Sequence, residues 1–596
     1  MAGRTVYALL EETAKTQKNT AALHQPAGGG HRIWTWLEYR DAAREIALGL
    51  HAMGVRRGEI VALYSETRAE FYLADIGVMA AGAVAAALYT SYPLPDQVRN
   101  LQTAEVRVIF VENPKSMRGL KDSAGDAARD WRWILMTGEA DGVLTLDALR
   151  EEGRRALERE PGLFERIEAG YSPDDYAILY LTSGATGEPK MGLVTHRAVV
   201  SNLDVGPGVL PIGPGDSTIV FLPSAHIAQR VVLELLPLRM GVPVWFSESL
   251  SKLPAELRTI RPTFLLAPPR VWERIYASVC TEIRKRPAIA RRLFYAGIGL
   301  GSDASNRERH GRTVPGWMRG ARKFFDRAVY SKIRERLGGR IRIAASGAAP
   351  LGKDLAEFYA AIGMPLIEGY GLTEGGIVSF NPLNRPKPAS IGTLLPGVEA
   401  KLAEDGELLV RSPYLFSGYY KDPHATALVL RDGWLSTGDI AEFDADGYLY
   451  ITGRKKELIV SSNGKKIYPS RIEGLFKTEP LINQVLLIGD RLPYVTALFT
   501  INRGSAEALR GMESYKLRPP AEIAAAPAVD AEIRKAVARA NKKLPAFEQI
   551  RKFRILEREF TIEAGELTPT MKVRRSRVLE NYRAVIGELY MGKEVD

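Results

Sequence analysis

The sequence predicts an α/β protein followed by a β-rich unit and a further α+β region. Three observations carry this. Through roughly the first 380 residues, helical apolar periods alternate with short apolar runs, the pattern of largely parallel sheets covered by helices. After Asn381 short strands and turn signals take over: Pro396-Gly397, Glu404-Asp405-Gly406, Asp432-Gly433 and Asp446-Gly447. That change predicts a small antiparallel or barrel-like unit. Finally, 596 residues are too many for one core. At about 150 residues per domain, two to four units are expected.

The elements follow in order. Thr35-x-x-Glu38 is a capping box ahead of a helix with apolar Tyr39, Ala43, Ile46 and Leu50. Residues 59–64 read as a strand. The most hydrophobic run, 76–89, is broken by Gly77 and Gly82. It falls short of the roughly 20 residues a bilayer span needs, and it reads as a buried small-residue helix. Residues 108–111, 178–181, 218–222 and 242–246 read as further strands. Past Arg454 an α+β region follows, with an Ala-rich helical stretch at 519–538. There is no internal repeat.

Composition narrows the function classes. With 46% apolar and 25% charged residues the chain is an ordinary globular one. Its one cysteine, Cys280, excludes a disulfide framework and a cysteine metal site, and points to a reducing compartment. Cys280 follows an apolar stretch and reads as a packed residue. Residues 1–20 are polar and carry no secretory signal. The expectation is a cytoplasmic protein, monomer or homodimer, with peripheral membrane contact left open.

The formal charge is +11, and residues 281–342 carry seventeen basic against five acidic residues, a net of +12. Such a segment is a solvated helical face, or it attracts anionic lipid, an acidic carrier protein or nucleotide phosphates. No nucleic-acid recognition motif accompanies it, so no nucleic acid is expected.

Several motifs carry chemistry. Leu181-Thr182-Ser183-Gly184-Ala185-Thr186-Gly187-Glu188-Pro189-Lys190 follows an apolar strand, and a helix starts at 195–203. Glycines let backbone approach an anion, hydroxyls and N–H groups donate to it, and Lys190 adds a mobile charge. No Gly-Lys-Ser/Thr stands at the P-loop offset, which argues against a P-loop ATPase. Glu368-Gly369-Tyr370-Gly371-Leu372-Thr373-Glu374 leaves a flat slot beside an aromatic ring, in which an adenine could lie. Its last carboxylate is a hard oxygen ligand suited to Mg²⁺ with phosphates. Ser346-Gly347-Ala348-Ala349-Pro350 follows an apolar strand. Asp439, in Ser436-Thr437-Gly438-Asp439, can accept from two ribose hydroxyls, with Arg454 in support. Lys572, in Thr568-Pro569-Thr570-Met571-Lys572, is a mobile ammonium able to neutralise charge on a reacting phosphate. His226 closes Phe221-Leu222-Pro223-Ser224-Ala225-His226.

In this order these motifs resemble those of the adenylate-forming superfamily: acyl-CoA synthetases, luciferases and peptide-synthetase adenylation domains. The likeness runs from Thr182 to Lys572. It leans toward long-chain fatty acyl-CoA synthetases through Pro268-Pro269-Arg270-Val271-Trp272-Glu273 and Tyr330-Ser331-Lys332-Ile333-Arg334-Glu335. Where many members have Thr, this chain has Ala185.

The resemblance implies a large domain of two helix-flanked sheets at 1–453, its β-rich unit at about 385–453. It implies a mobile smaller domain at 454–596, hinged at Lys456. Thr182, Ser183, Gly184, Thr186, Gly187 and Lys190 would hold phosphates, and Thr182 with Glu374 magnesium. Gly347, Ala348, Glu368, Gly369, Tyr370, Gly371 and Thr373 would form the nucleoside slot. Asp439 and Arg454 would hold ribose. His226 would lie near the acyl carboxylate, and Lys572 would serve adenylation. Gly464 and Lys465 would line a coenzyme A tunnel in the second step. The implied reaction makes acyl-CoA, AMP and pyrophosphate from a fatty acid, ATP and coenzyme A. Transfer to an acyl carrier protein is the alternative enzyme reading. A catalytically weak nucleotide- or lipid-binding protein is the alternative outside enzymes.

Overall fold

The computed structural model describes residues 3–182, 190–515, 518–568 and 571–591. Two large sheets dominate it. One has eight strands, with Ile60–Tyr64 central, Val84–Ala87 and Val108–Val111 on either side, and all three parallel. The other has nine strands with a parallel centre through Thr218–Val220, Phe264–Ala267, Ile343–Ser346 and Leu366–Leu372. Antiparallel strands finish the nine-stranded sheet at both edges and the eight-stranded sheet at one, while its other edge ends in the parallel pair Arg132–Leu135 and Leu144–Thr145. Parallel centres buried on both faces explain why their strands read as unbroken apolar runs rather than alternating ones.

The capping box forms as expected. Thr35 Oγ1 accepts from the Glu38 N–H at 3.2 Å and Glu38 Oε2 accepts from the Thr35 N–H at 2.7 Å. The helix Trp36–Ala52 then buries Tyr39, Ala43, Ile46 and Leu50. The run 76–89 differs from expectation. The helix Ala69–Ala80 ends within it, Gly82 turns the chain at φ +70°, and a strand Val84–Ala87 follows. Every residue of that helix and strand is buried. With both faces covered, the apolar pattern loses the periodicity that separates helix from strand. The Ala-rich stretch near 519–538 is helical, as Pro520–Ala524 and Pro527–Asn541.

Past Asn381 a five-stranded antiparallel sheet forms from Glu399–Leu402, Glu407–Arg411, Leu430–Arg431, Trp434–Phe443 and Leu449–Arg454. The main apolar core runs out at Leu449, and a separate one begins at Ile459. Between them Lys455–Glu457 makes one 3₁₀ turn with Lys456 exposed. The later core packs under the sheet Ile482–Ile488, Val495–Ile501 and Ile550–Ile555. No helix among the described residues is long and apolar enough to cross a membrane.

Candidate active site

The hydroxyl-rich loop joins two antiparallel strands, Tyr176–Thr182 and Lys190–Thr195, with Thr182 opposite Lys190. The helix expected from 195 is His196–Asp204, capped by Thr195, but the strand Lys190–Thr195 that precedes it was not expected. Ser183, Gly184, Thr186 and Gly187 lie outside the described residues.

Lys190 and Glu374 meet through a residue the sequence did not flag. The short strand Gly418–Tyr419 pairs with Lys190–Thr195. Tyr419 donates its hydroxyl to Glu374 Oε1 at 2.7 Å. Its ring centroid lies 4.7 Å from Lys190 Nζ. Burial, and then the Glu374 carboxylate, push the Tyr419 phenol far above its ordinary range, so it stays a donor. Thr373 sits in the turn just before Glu374.

A second group surrounds a cavity of about 360 Å³ between the two cores. Ala348, Glu368, Gly369, Tyr370, Gly371, Asp439, Arg454 and Lys572 all line it. Gly347 stands one residue outside the lining, and a Cβ there would come 3.5 Å from the Gly369 carbonyl oxygen. Ala348, Ala389 and Met571, all on the cavity wall, hold φ of +70°, +66° and +63°. Non-glycine residues in that region are strained, and such strain gathers at functional sites.

Antiparallel pairing places Asp439 directly opposite Arg454. Arg454 Nε lies 3.0 Å from Asp439 Oδ1, and the Tyr370 hydroxyl donates to Oδ2 at 2.6 Å. A carboxylate has about four acceptor positions. Two therefore remain for a diol.

Glu368 is buried, its Oε2 accepting from the Leu351 N–H at 3.1 Å while Oε1 has no partner. Burial raises its carboxyl to about 8, so it is mostly protonated near neutrality.

Lys572 lines the cavity, its backbone tied to Thr568. The Thr568 N–H donates to the Lys572 carbonyl at 2.8 Å, and the Lys572 N–H to Thr568 Oγ1 at 3.0 Å. Burial first, and then the Arg454 guanidinium, lower the Lys572 ammonium to about 8. His226 feels that cation in turn: burial and then Lys572 hold its imidazole down to about 3. It is therefore neutral at physiological pH, and its Nδ1 accepts from the Ala228 N–H at 3.2 Å. His226 is not part of the cavity lining, but it lies near enough to Lys572 to feel its charge although 346 positions separate them. Gly464 and Lys465 do not join them. They occupy the turn between Ile459–Val460 and Lys466–Ile467, outside the cavity lining, with Lys465 Nζ 6.0 Å from the Phe547 ring.

The chain matches the family described as AMP-binding enzyme over residues 10–420, and the AMP-binding enzyme C-terminal domain over 456–594. It is 36% identical over 567 residues to a Mycobacterium bovis protein named long-chain-fatty-acid–CoA ligase FadD15, covering 94% of this chain and 93% of that one. It is 28% identical to fatty acyl-CoA synthetase A of Dictyostelium discoideum, over 98% and 90% of the two chains. Among solved structures, the anthranilate CoA ligase AuaEII, in complex with anthranoyl-AMP, superposes with a TM-score of 0.75 over 98% of this chain and 99% of that one, at 19% identity. The adenylation domain of a Mycobacterium chelonae carboxylate reductase does so at 0.75 and 23% identity, over 99% and 92%.

Proposed function

This chain belongs to the AMP-binding enzyme family, and from that premise we propose a ligase that joins a long-chain fatty acid to coenzyme A at the expense of ATP. The observation that carries the reading is the convergence of Lys572 with Tyr370, Asp439 and Arg454 on one cavity. The long-chain assignment follows the names of relatives that span nearly the whole chain.

In the first step a carboxylate oxygen attacks the α-phosphorus of ATP. The bond to the β-phosphate oxygen breaks, and acyl-AMP and pyrophosphate form. A free carboxylate acylates poorly because oxide is a very poor leaving group, and AMP supplies a good one. Asp439 accepts from the ribose hydroxyls with Arg454 beside it. Tyr370 packs near adenine while its hydroxyl steadies Asp439. Lys572, as the ammonium, neutralises charge gathering on the α-phosphate. Neutral His226 offers its free ring nitrogen to the acyl carboxylate without adding a second cation beside Lys572. Lys190 and the hydroxyls of Thr182, Ser183 and Thr186 hold the outer phosphates, with Gly184 and Gly187 letting the backbone approach.

Thr182 and Glu374 would hold Mg²⁺. Among the described residues no group of three or more acidic, histidine or cysteine side chains forms a metal cage. A lone carboxylate suits Mg²⁺, which keeps several waters and takes the rest of its ligands from phosphates. When bound, the ion offsets the charge of the phosphates that leave.

In the second step the coenzyme A sulfur attacks the acyl carbon, AMP leaves, and the thiol proton passes to solvent. The unit from 454 onward pivots at Lys456, withdraws Lys572 and brings Gly464 and Lys465 to the cleft. The exposed 3₁₀ turn between two separate cores supports that pivot. We place the reaction in the cytoplasm, in keeping with a single buried thiol.

The test is carboxylate-dependent pyrophosphate release from ATP, across fatty acids of graded length, with and without coenzyme A. Release that peaks with long chains and yields AMP and acyl-CoA supports the reading. Turnover only with an acyl carrier protein would overturn the acceptor, and no release with any acid would overturn the ligase.

A further inference from the structure

The basic segment folds as a helical excursion from the nine-stranded half. Its first long helix, Ala288–Arg309, buries Phe294, Gly297, Gly301 and Ala304. The fit is close: a Cβ on Gly301 would meet the Ala361 carbonyl oxygen, and one on Gly297 the Phe325 ring. Tyr330 ties the pair by donating its hydroxyl to the Gly297 carbonyl. The second helix, Gly316–Phe325, buries Met318.

The opposite faces do not look like solvated helix. Trp317 is 68% exposed, Phe324 57%, Ile289 82% and Tyr295 53%, with Leu293 exposed as well. Among the described residues fourteen large apolar side chains are exposed, and five of them fall between Ile289 and Phe324. Single exposed apolar residues need no explanation, but a cluster does. Trp317 and Phe324 are seven positions apart, two helical turns, and so share one stripe.

Cations border that stripe. Residues 284–327 hold twelve basic and three acidic residues. Arg291, Arg292, Arg319 and Lys323 are exposed. None of these four shares an ion pair with a described residue, whereas Arg307 pairs with Asp303 and Arg322 with Glu308. A surface built to grip nucleic acid or an acidic protein by charge alone has no use for exposed Ile289, Trp317 and Phe324. Apolar residues and aromatic rings set among Lys and Arg are what a helix carries when it lies in the headgroup region. No helix among the described residues is long and apolar enough to cross a bilayer.

We propose that the paired helices Ala288–Arg309 and Gly316–Phe325 dock this protein on anionic phospholipid bilayers, Trp317, Phe324 and Ile289 entering the headgroup layer and Arg292, Arg319 and Lys323 meeting lipid phosphate. The benefit of such docking rests on the proposed function, since a long-chain acid partitions into bilayers. The docking itself does not depend on it.

The experiment is co-sedimentation of the full chain with vesicles of phosphatidylcholine alone, or with about one-third phosphatidylglycerol. It is read without ATP or acid, so its failure is separable from failure of the ligase reading. Binding to the anionic vesicles should exceed binding to neutral ones by about tenfold and weaken with salt. Trp317→Ser with Phe324→Ser, and separately Arg319→Ser with Lys323→Ser, should each lower it by about tenfold. The melting temperature and the turnover of a short soluble acid should stay unchanged. As a measurement on the unmutated fold, brominated lipid should quench wild-type fluorescence more than that of Trp317→Phe. Wild-type binding that ignores both double variants, or absence of vesicle binding alongside retention on an acidic polypeptide, would overturn the proposal.

Discussion

Tyr419 donates to Glu374 at 2.7 Å while its ring lies beneath the Lys190 ammonium. One phenol thus fixes the distance between a cation and a carboxylate that handle the same phosphates in the proposed reaction. Tyr419→Phe keeps the ring under Lys190 and removes only the donor to Glu374. A hydrogen bond to a charged group is worth about 1.5–3 kcal/mol. The Mg²⁺ concentration for half-maximal pyrophosphate release should therefore rise about tenfold, with kcat at saturating Mg²⁺ little changed. Tyr419→Leu removes the ring too and should raise the ATP KM as well. A Tyr419→Phe enzyme with wild-type Mg²⁺ dependence would show that Glu374 is held by other means.

Lys572 reports on both steps and on pH. Lys572→Ala should cut adenylate formation by about 10²–10³-fold, yet leave thioester formation from supplied acyl-AMP nearly intact. Equal loss in both half-reactions would refute the division of labour. The ammonium is held at about 8, against an ordinary 10.5. Adenylation should fall as pH rises through 8, because the neutral amine cannot offset phosphate charge. Stability runs the other way. Between 8 and 10.5 the unfolded chain binds a proton that the folded chain does not, so stability rises with pH across that window. Lys572→Met should abolish both trends in an activity profile and a melting series.

The motifs and the α/β architecture were legible because each is local. A capping box needs four consecutive residues, and a buried parallel strand needs only an apolar run. The residues that give the motifs their geometry are not local. Tyr419 reaches Glu374 by pairing its short strand with Lys190–Thr195, across more than two hundred positions, and two-residue strands leave no periodic signal. The helix from 195 is legible, but the six-residue strand Lys190–Thr195 before it is not, because Met191, Gly192, Leu193 and Val194 are all buried and leave no alternation. The 76–89 run misled for the same reason: full burial erased the pattern that distinguishes helix from strand. Charge counting located the basic segment but missed its exposed Trp317 and Phe324, whose solvent-facing stripe is set by Met318 packing inward from the same helix.

Glu368 makes a stability prediction with a definite sign. Burial lifts its carboxyl from 4.5 to about 8, and the Leu351 N–H, the Lys477 ammonium and the Ala389 N–H only partly oppose this. The folded chain therefore keeps a proton that the unfolded chain loses. That stability is complete below 4.5, declines as pH rises, and is gone once pH passes 8. Glu368→Gln keeps an acceptor for the Leu351 N–H and carries no charge. It should remove this decline and stabilise the chain by on the order of 1 kcal/mol above pH 8. Parallel melting profiles for wild type and Glu368→Gln from pH 5 to 9 would exclude the assignment.

The sharpest test of the core is the ion pair between Asp75 and Arg230, both with no exposed surface. Arg230 Nε donates to Asp75 Oδ2 at 3.0 Å, its second terminal nitrogen reaches Oδ1, and the guanidinium faces the Tyr180 ring at 5.6 Å. Glu234 lies four residues on beside Asp75; burial raises both carboxyls, that of Glu234 well above the ordinary range, while Arg230 pulls Asp75 back down. Protonated Glu234 leaves one anion for one cation. Removing a single partner strands a buried charge, so Asp75→Ala should cost about 3–5 kcal/mol. Asp75→Leu combined with Arg230→Met removes both charges and refills the volume, and should cost clearly less than that single change. The Arg230 N–H donates to the His226 carbonyl at 3.0 Å, so the same lesion should reach the cleft. Asp75→Ala should raise the KM for the fatty acid as well as lower the melting temperature, and the double variant should recover more of the stability than of the KM. Denaturant unfolding of the three proteins decides it: a double variant no more stable than Asp75→Ala would mean that the pair acts through its shape rather than through its charges.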